Sequence, residues 1–302
     1  MKKIVIAGAN GFLARYLTRY FVAQGWTVIG LARRREGLDD SCKYVHWDGE
    51  TLSAWAEEID GSDVLINLAG RTVNCRYNQA NKKEIIDSRV NSTQVIGEAI
   101  AQCANPPEVW INSSTATIYR HAEDRPQSDA GEIGEGFSVG VAKAWEEAFF
   151  SAKAPGKVRK VAIRSSMVLA DEPGTVFSYL YRLARFGLGG KVGSGRQMVS
   201  WIHIQDFCRA VDWLVDHDEI SGPINVTSPD PLCNADLMTR FRKYTNMPIG
   251  LPATKWMAEI GAFLLRTETE LILKSRWVVP TRLLENGFVF KYPEMEPWNW
   301  RK

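Results

Sequence analysis

The 302-residue chain has little with which to hold a metal or a disulfide framework: four histidines, five cysteines, and no C-x-x-C or H-x-x-x-H spacing among them. An odd number of widely spaced cysteines (Cys42, Cys75, Cys103, Cys208, Cys233) predicts free thiols packed inside a protein of a reducing compartment. Charge of one sign is scarce too. With 37 basic and 35 acidic residues the formal net charge is +2, which gives no electrostatic footprint for nucleic acid. No run of about 18 apolar residues occurs, so no membrane span is expected. Gly8 and Gly11 interrupt the apolar stretch behind Met1-Lys2-Lys3 before it can act as a signal peptide, and a cytoplasmic protein is expected.

What is present is an ordinary globular composition, 45% hydrophobic, on a chain long enough to bury a large core. The first half alternates short β-branched runs with helical patterns, as a parallel sheet with crossover helices does. Strands are predicted at Lys3–Ala7, Thr27–Leu31, Lys43–Trp47, Asp63–Leu68, Glu108–Ser113 and Val158–Arg164, and helices at Gly11–Gln24, Leu52–Glu58, Gln79–Cys103 and Phe137–Ala152. Past about residue 170 the rhythm changes to glycine-rich turns, the short apolar segment Val199–Ile204, and helices at Gln205–Asp216, Asn234–Thr245 and Lys255–Arg266. The fold class is therefore α/β: a Rossmann-type doubly wound parallel sheet over residues 1–170 with a smaller mixed C-terminal substrate lobe over 171–302, between which the chain can cross.

The segment Ile4-Val5-Ile6-Ala7-Gly8-Ala9-Asn10-Gly11-Phe12-Leu13-Ala14 runs strand, tight turn and helix in immediate succession. Glycines let the backbone approach a pyrophosphate, and the helix start offers it free N–H groups and a positive dipole end. Gly8, Asn10, Gly11, Phe12 and Leu13 are thus candidate cofactor ligands; the alternative is a bare structural turn. The next strand ends Gly30-Leu31-Ala32-Arg33-Arg34-Arg35, with no carboxylate before Glu36 to hold a ribose 2′-hydroxyl. Arg33 and Arg34 suit a 2′-phosphate instead, so NADP(H) is expected over NAD(H), against the alternative of a solvated basic loop.

These residues resemble the extended and atypical short-chain dehydrogenases, the NAD(P)-dependent epimerase/dehydratase superfamily. Asn67-Leu68-Ala69-Gly70 resembles that family's cofactor-lining loop after the fourth strand, Asn91-Ser92-Thr93 its N-V-x-G-T helix motif, and Ser113 to Tyr119 its serine/threonine-rich strand end. Within it the chain is similar to uncharacterised epimerase-family proteins with a distinctive small C-terminal domain. The residues that carry this are Lys83 to Asp87-Ser88-Arg89-Val90, Trp145-Glu146, Gly187-Leu188-Gly189-Gly190, Gly193-Ser194-Gly195-Arg196-Gln197, Ser200-Trp201-Ile202-His203-Ile204, Val279-Pro280-Thr281-Arg282 and Gly287-Phe288. The resemblance implies that Leu68, Ala69, Gly70 and Lys143 line the cofactor, and that Thr115 and Lys143 are catalytic. It also exposes a departure: the family's proton-donating tyrosine, four residues before the lysine, is here Val139.

Tyr119 and His203 are candidate replacement acids, each with a bland alternative as a packed aromatic or a hydrogen-bonded strand residue. Arg76, Tyr77, Gln197 and Trp201 are candidate substrate contacts, although a tryptophan is also a natural core anchor. By the same resemblance Val199 stands where nucleotide-sugar members carry a substrate-binding arginine, which argues against such a sugar. The function expected is an NADP(H)-dependent oxidoreductase or epimerase-like enzyme on a small molecule, with a non-catalytic NADP(H)-binding or redox-responsive protein as the alternative. Related folds dimerise through two long helices, so a homodimer is also expected.

Overall fold

The computed structural model describes residues 2–254 and 274–296; the helix predicted over Lys255–Arg266 lies outside the described residues. Along the first half run β1 (Lys3–Ala7), α1 (Phe12–Ala23), β2 (Thr27–Ala32), β3 (Lys43–His46), β4 (Val64–Asn67), α2 (Gln79–Gln102), β5 (Val109–Thr115), α3 (Phe137–Ser151) and β6 (Arg159–Ser165). Then come β7 (Met167–Leu169), α4 (Val176–Arg185), β8 (Met198–Val199), β9 (Trp201–His203), α5 (Ile204–Asp216), β10 (Gly222–Val226), β11 (Leu232–Cys233), α6 (Asn234–Thr245) and α7 (Thr281–Glu285).

In β1 the four consecutive residues Ile4 to Ala7 are all fully buried, which only a strand covered on both faces allows. The pleat sends Ile4 and Ile6 to one core, with Leu17 and Phe21 of α1 and Phe207 and Val211 of α5. Val5 and Ala7 go to the other, with Ile96 and Ile100 of α2 and Phe149 of α3. Seven parallel strands stand in the order β3-β2-β1-β4-β5-β6-β10. The order reverses between β1 and β4, the place where open α/β sheets bind ligands beyond their strand ends.

The predicted strands and long helices stand within about two residues of their expected ends. Leu52–Glu58 differs, tightening into a short 3₁₀ turn at Ala54–Glu58. More consequential is β10, which pairs in parallel with β6 and returns residues 222–226 to the large sheet. Residue 170 is therefore not a clean boundary, because α5 and β10 complete the Rossmann layer after the chain has left it. The smaller lobe is mixed, with β7 parallel to β9 and β8 antiparallel to β11, around Phe177, Trp201, Leu237 and Phe241. All five cysteines are free, but only Cys208 is buried; the other four are half-buried, contrary to the expectation of interior packing. No described helix is long and apolar enough to cross a membrane.

Candidate functional site

The turn after β1 is built by backbone. Gly8 has φ of +77°, and a Cβ there would lie 3.0 Å from Ala69 N and Cα, so a glycine is needed for β1 to meet the loop after β4. Gly8 N and Ala9 N donate to Leu31 O, at 2.9 and 3.1 Å, and Gly11 N closes the turn on Gly8 O at 2.9 Å. Gly11 precedes α1 without a side-chain cap, and the first turn carries no acidic residue. The N–H groups of Phe12, Leu13 and Ala14 are thereby left for an anion. Asn10 lends its carbonyl to Arg15 Nη1 (3.2 Å), and Arg15 also pairs with Glu172 behind β7.

Arg33 and Arg34 stand at the end of β2, both exposed, with no described residue holding either guanidinium. Loop 68–70 is held from beneath by a network that the sequence did not disclose. Asn67 Oδ1 accepts from Ala69 N at 3.0 Å, while its Nδ2 donates to Asn112 Oδ1 at 2.8 Å and Thr93 Oγ1 at 3.2 Å. Trp145 Nε1 donates to the same Thr93 oxygen at 3.1 Å. Residues from β4, α2, β5 and α3 therefore fix one short loop, in which Leu68 and Ala69 adjoin Gly8 of the glycine turn while Gly70 packs against Arg89. These glycine cradles, free N–H groups and unpaired guanidiniums fit a dinucleotide phosphate.

Thr115 ends β5, and its Oγ1 accepts from Thr117 N at 3.1 Å, which leaves its own O–H to donate. Lys143 projects from α3 with an exposed side chain. One turn earlier Val139 is buried against Ala116, Ile118 and Tyr119.

The two replacement acids are corrected. Tyr119 is 1% exposed, with its hydroxyl donating to Asn225 Oδ1 at 2.7 Å and accepting from Arg164 Nη1 at 2.9 Å. Burial pushes its pKa up, so it is a core phenol rather than an acid at a cleft. His203 is buried as the cap of α5, its Nδ1 accepting from Gln205 N at 3.1 Å and its ring stacked on Tyr292. Burial, with Lys291 nearby, pulls its pKa down to about 3, and the ring stays neutral. Enclosed, neutral and committed to capping α5, the ring is poorly suited to act as a general acid near pH 7.

Two substrate candidates are corrected likewise. Trp201 is fully buried and donates from Nε1 to Asp230 O at 2.8 Å, anchoring the smaller lobe instead of lining a cleft. Gln197 is buried and donates from Nε2 to Val192 O at 3.0 Å, holding the glycine-rich loop. Arg76 remains exposed, and Tyr77 lies edge-on to Phe137 at 4.8 Å beside the start of α3.

The sequence reading also missed a buried ion pair. Arg164 on β6 grips Glu146 of α3 with Nε and Nη2, both at 2.8 Å, and Ser114 Oγ donates to the same carboxylate at 2.6 Å. It fixes α3 against the β5 end and so sets where Thr115 and Lys143 stand. Trp145-Glu146 was visible in the sequence as a motif, but no spacing signal names an arginine eighteen residues later as its partner.

Comparison with known proteins agrees with this geometry. Residues 4–227 match the NAD dependent epimerase/dehydratase family, and residues 253–297 match a domain of unknown function, DUF1731. The chain is 31% identical over 292 residues to epimerase family protein ML0860 of Mycobacterium leprae, covering 96% of this chain and 92% of that protein. It is 30% identical to epimerase family protein YfhF of Bacillus subtilis, covering 97% and 95%. Among solved structures, human epimerase family protein SDR39U1 with NADPH superposes with a TM-score of 0.84 at 25% identity, covering 98% of this chain and 97% of that one. The chain belongs to the NAD dependent epimerase/dehydratase family and carries its Rossmann sheet, with a DUF1731 domain at the C-terminal end.

Proposed function

We propose that the chain is an NADP(H)-dependent oxidoreductase or epimerase-like enzyme acting on a small molecule. The observation that carries this reading is the pair Arg33 and Arg34, exposed and unpaired at the end of β2 and adjoining the turn that leaves Phe12, Leu13 and Ala14 N–H free. The similarity to a protein solved with NADPH supports the same cofactor. When bound, the nicotinamide supplies or accepts hydride. Thr115, its hydroxyl oxygen engaged by Thr117 N, keeps a proton to donate to a substrate carbonyl. Lys143, on the open side of α3, is the group to hold the nicotinamide ribose. Val139 moves no proton. Losing a general acid costs about two to four decades in rate, so slow turnover is expected.

The burial of Val139, and of the alternative acids Tyr119 and His203, favours a second reading: a protein that binds NADP(H) without turning it over. Calorimetry with NADPH and NADH, beside Arg33→Ala/Arg34→Ala, tests the cofactor. NADPH should bind tighter by about one to two decades, and the double variant should lose that preference. Equal affinity for both cofactors ends the assignment. A carbonyl panel with wild type, Thr115→Ala and Lys143→Ala then separates the two readings, because turnover that both variants abolish belongs to an enzyme.

A further inference from the structure

Helix α4 is apolar on its outer side as well as its inner one. Phe177, Leu180, Tyr181 and Ala184 pack into the core of the smaller lobe. Val176, Tyr179, Leu183 and Phe186 recur at three- and four-residue spacing on another face, each more than two-fifths exposed, with Phe186 at 75%. The stripe continues past the helix end. Gly187, at φ of +75°, turns the chain, Leu188 N donates back to Leu183 O at 2.9 Å, and Leu251 N donates to Gly187 O at 2.7 Å. Gly190 has no room for a Cβ against Leu251 O, so the two backbones touch, and the side chains of Leu188, Ile249 and Leu251 are left outside, each more than half exposed. Seven of the eleven large apolar side chains exposed among the described residues therefore crowd into segments 176–188 and 249–251, which makes a patch and not the ordinary scatter of single residues.

The charge around this patch has one sign. Segments 176–191 and 237–254 hold no Asp or Glu, while they hold Arg182, Arg185, Lys191, Arg240, Arg242 and Lys243. Arg182, Arg185, Lys191 and Lys243 are exposed, and no described carboxylate pairs with any of them. Arg242 Nη1 ties α6 to the tip by donating to Gly189 O at 2.6 Å. Beside it, at the end of α6, an open hollow of about 620 Å³ is lined by Thr239, Arg242, Lys243, Asn246, Met247 and Pro248.

Charge and shape together say what fits. Two copies of the chain meeting patch to patch would set arginine against arginine, because a two-fold contact places a surface against itself. An anionic surface is the complement. Phe186 stands out from the helix end instead of lining a groove that could receive a partner's helix or strand. Apolar side chains that protrude among cations suit the interfacial layer of an anionic bilayer, with the apolar tips at the acyl boundary and the cations at the phosphates.

We propose that α4 and the turns at 187–191 and 249–251 dock the protein on an anionic phospholipid bilayer. Phe186, Leu188, Ile249 and Leu251 enter the acyl boundary, Arg182, Arg185 and Lys191 meet headgroup phosphates, and Lys243 draws one into the hollow. The protein lies on this surface without crossing it, and no described helix is long and apolar enough to cross. This docking is independent of the NADP(H) reading.

The test is flotation of the full chain with vesicles of phosphatidylcholine alone and of phosphatidylcholine with about one-quarter phosphatidylglycerol. The mixed vesicles should bind at least about tenfold more tightly, and salt at about 0.5 M should remove most of that gain. Phe186→Asp/Leu188→Asp takes away the apolar tip, Arg182→Glu/Arg185→Glu reverses the charge, and each should lower the affinity by about tenfold or more. All four side chains are exposed, so melting temperatures should stay within about 2 °C of wild type. No binding to the mixed vesicles, equal binding to both kinds, or binding that neither variant weakens overturns the proposal. Light scattering on the free protein is a further check: a dimer that Phe186→Asp/Leu188→Asp dissociates gives the patch to a second copy and overturns it too. Should Phe186→Asp/Leu188→Asp not fold, Arg182→Glu/Arg185→Glu decides alone, and wild-type affinity for the mixed vesicles in that variant overturns the proposal.

Discussion

At the scale of single residues, identity and role separate wherever burial intervenes. Tyr119 and His203 carry groups suited to proton transfer, and both are spent inside the protein. Tyr119→Phe removes a hydroxyl that serves Asn225 and Arg164 at once, so about 1–3 kcal/mol of stability should be lost while NADPH affinity stays unchanged. Denaturant melts and calorimetry check this, and a fall in cofactor affinity would return Tyr119 to the site. For His203 the prediction concerns pH. Its folded pKa is pushed down to about 3 from an ordinary 6.5, so below pH 6.5 the unfolded ring takes a proton that the folded ring refuses. Stability contributed by the neutral ring is whole above 6.5 and falls as pH drops toward 3, by at most about 1.4 kcal/mol per pH unit. His203→Asn, which can still cap α5, should flatten this slope between about pH 7 and about pH 4.5 in urea melts. An unchanged slope would mean that the ring titrates normally.

Among elements, the glycine turn is the one whose sequence and geometry explain each other most completely. Its requirements are local: a left-handed residue at Gly8, an uncapped helix start after Gly11, and a small residue, Ala14, buried where α1 meets the sheet. Gly8→Ala meets both a positive φ and the Ala69 backbone at 3.0 Å. It should cost more than about 1 kcal/mol and weaken NADPH binding by at least about tenfold, because the strand and loop 68–70 must part. Calorimetry on the folded variant measures it, and wild-type affinity would show that the loop shifts freely. The loop itself was legible as Asn67-Leu68-Ala69-Gly70, but its support was not. Asn67, Thr93, Asn112 and Trp145 come from four elements, and their hydrogen bonds exist only once the sheet and helices have packed.

At the scale of the whole molecule, a buried carboxylate ties the chain's last described residues to the Rossmann layer, beside the stack of Tyr292 on His203 and the bond from the tyrosine hydroxyl to Gln205 Oε1. Asp206 is fully buried on α5, with Oδ1 accepting from Lys291 N at 2.9 Å and Arg209 Nη1 at 2.7 Å, and Oδ2 from Tyr292 N at 2.7 Å. Asp206→Ala strips three donors of their acceptor at once. A loss of about 2–3 kcal/mol is expected, together with faster proteolysis near residues 291–292 in limited digestion. An unaltered digestion pattern would place the tail's anchorage elsewhere.

The sequence by itself determined what depends on neighbours along the chain: strands apolar on consecutive residues, amphipathic α1, the glycine turn, and the run of arginines ending β2. Local sterics and periodicity decide these, and distant residues barely change them. Only the tertiary structure decided which side chains face the site. Tyr119 meets Asn225 across 106 residues, Trp201 finds Asp230 in the smaller lobe, and β10 rejoins a sheet that the chain had left at β6. Arg89 belongs to the same class. Its position in a helix motif was plain in the sequence, while its contacts arise because Gly70, Arg71 and Trp145 close around it. Burial and hydrogen-bond partners are properties of the packed assembly, and a pKa or a sealed ring follows from them.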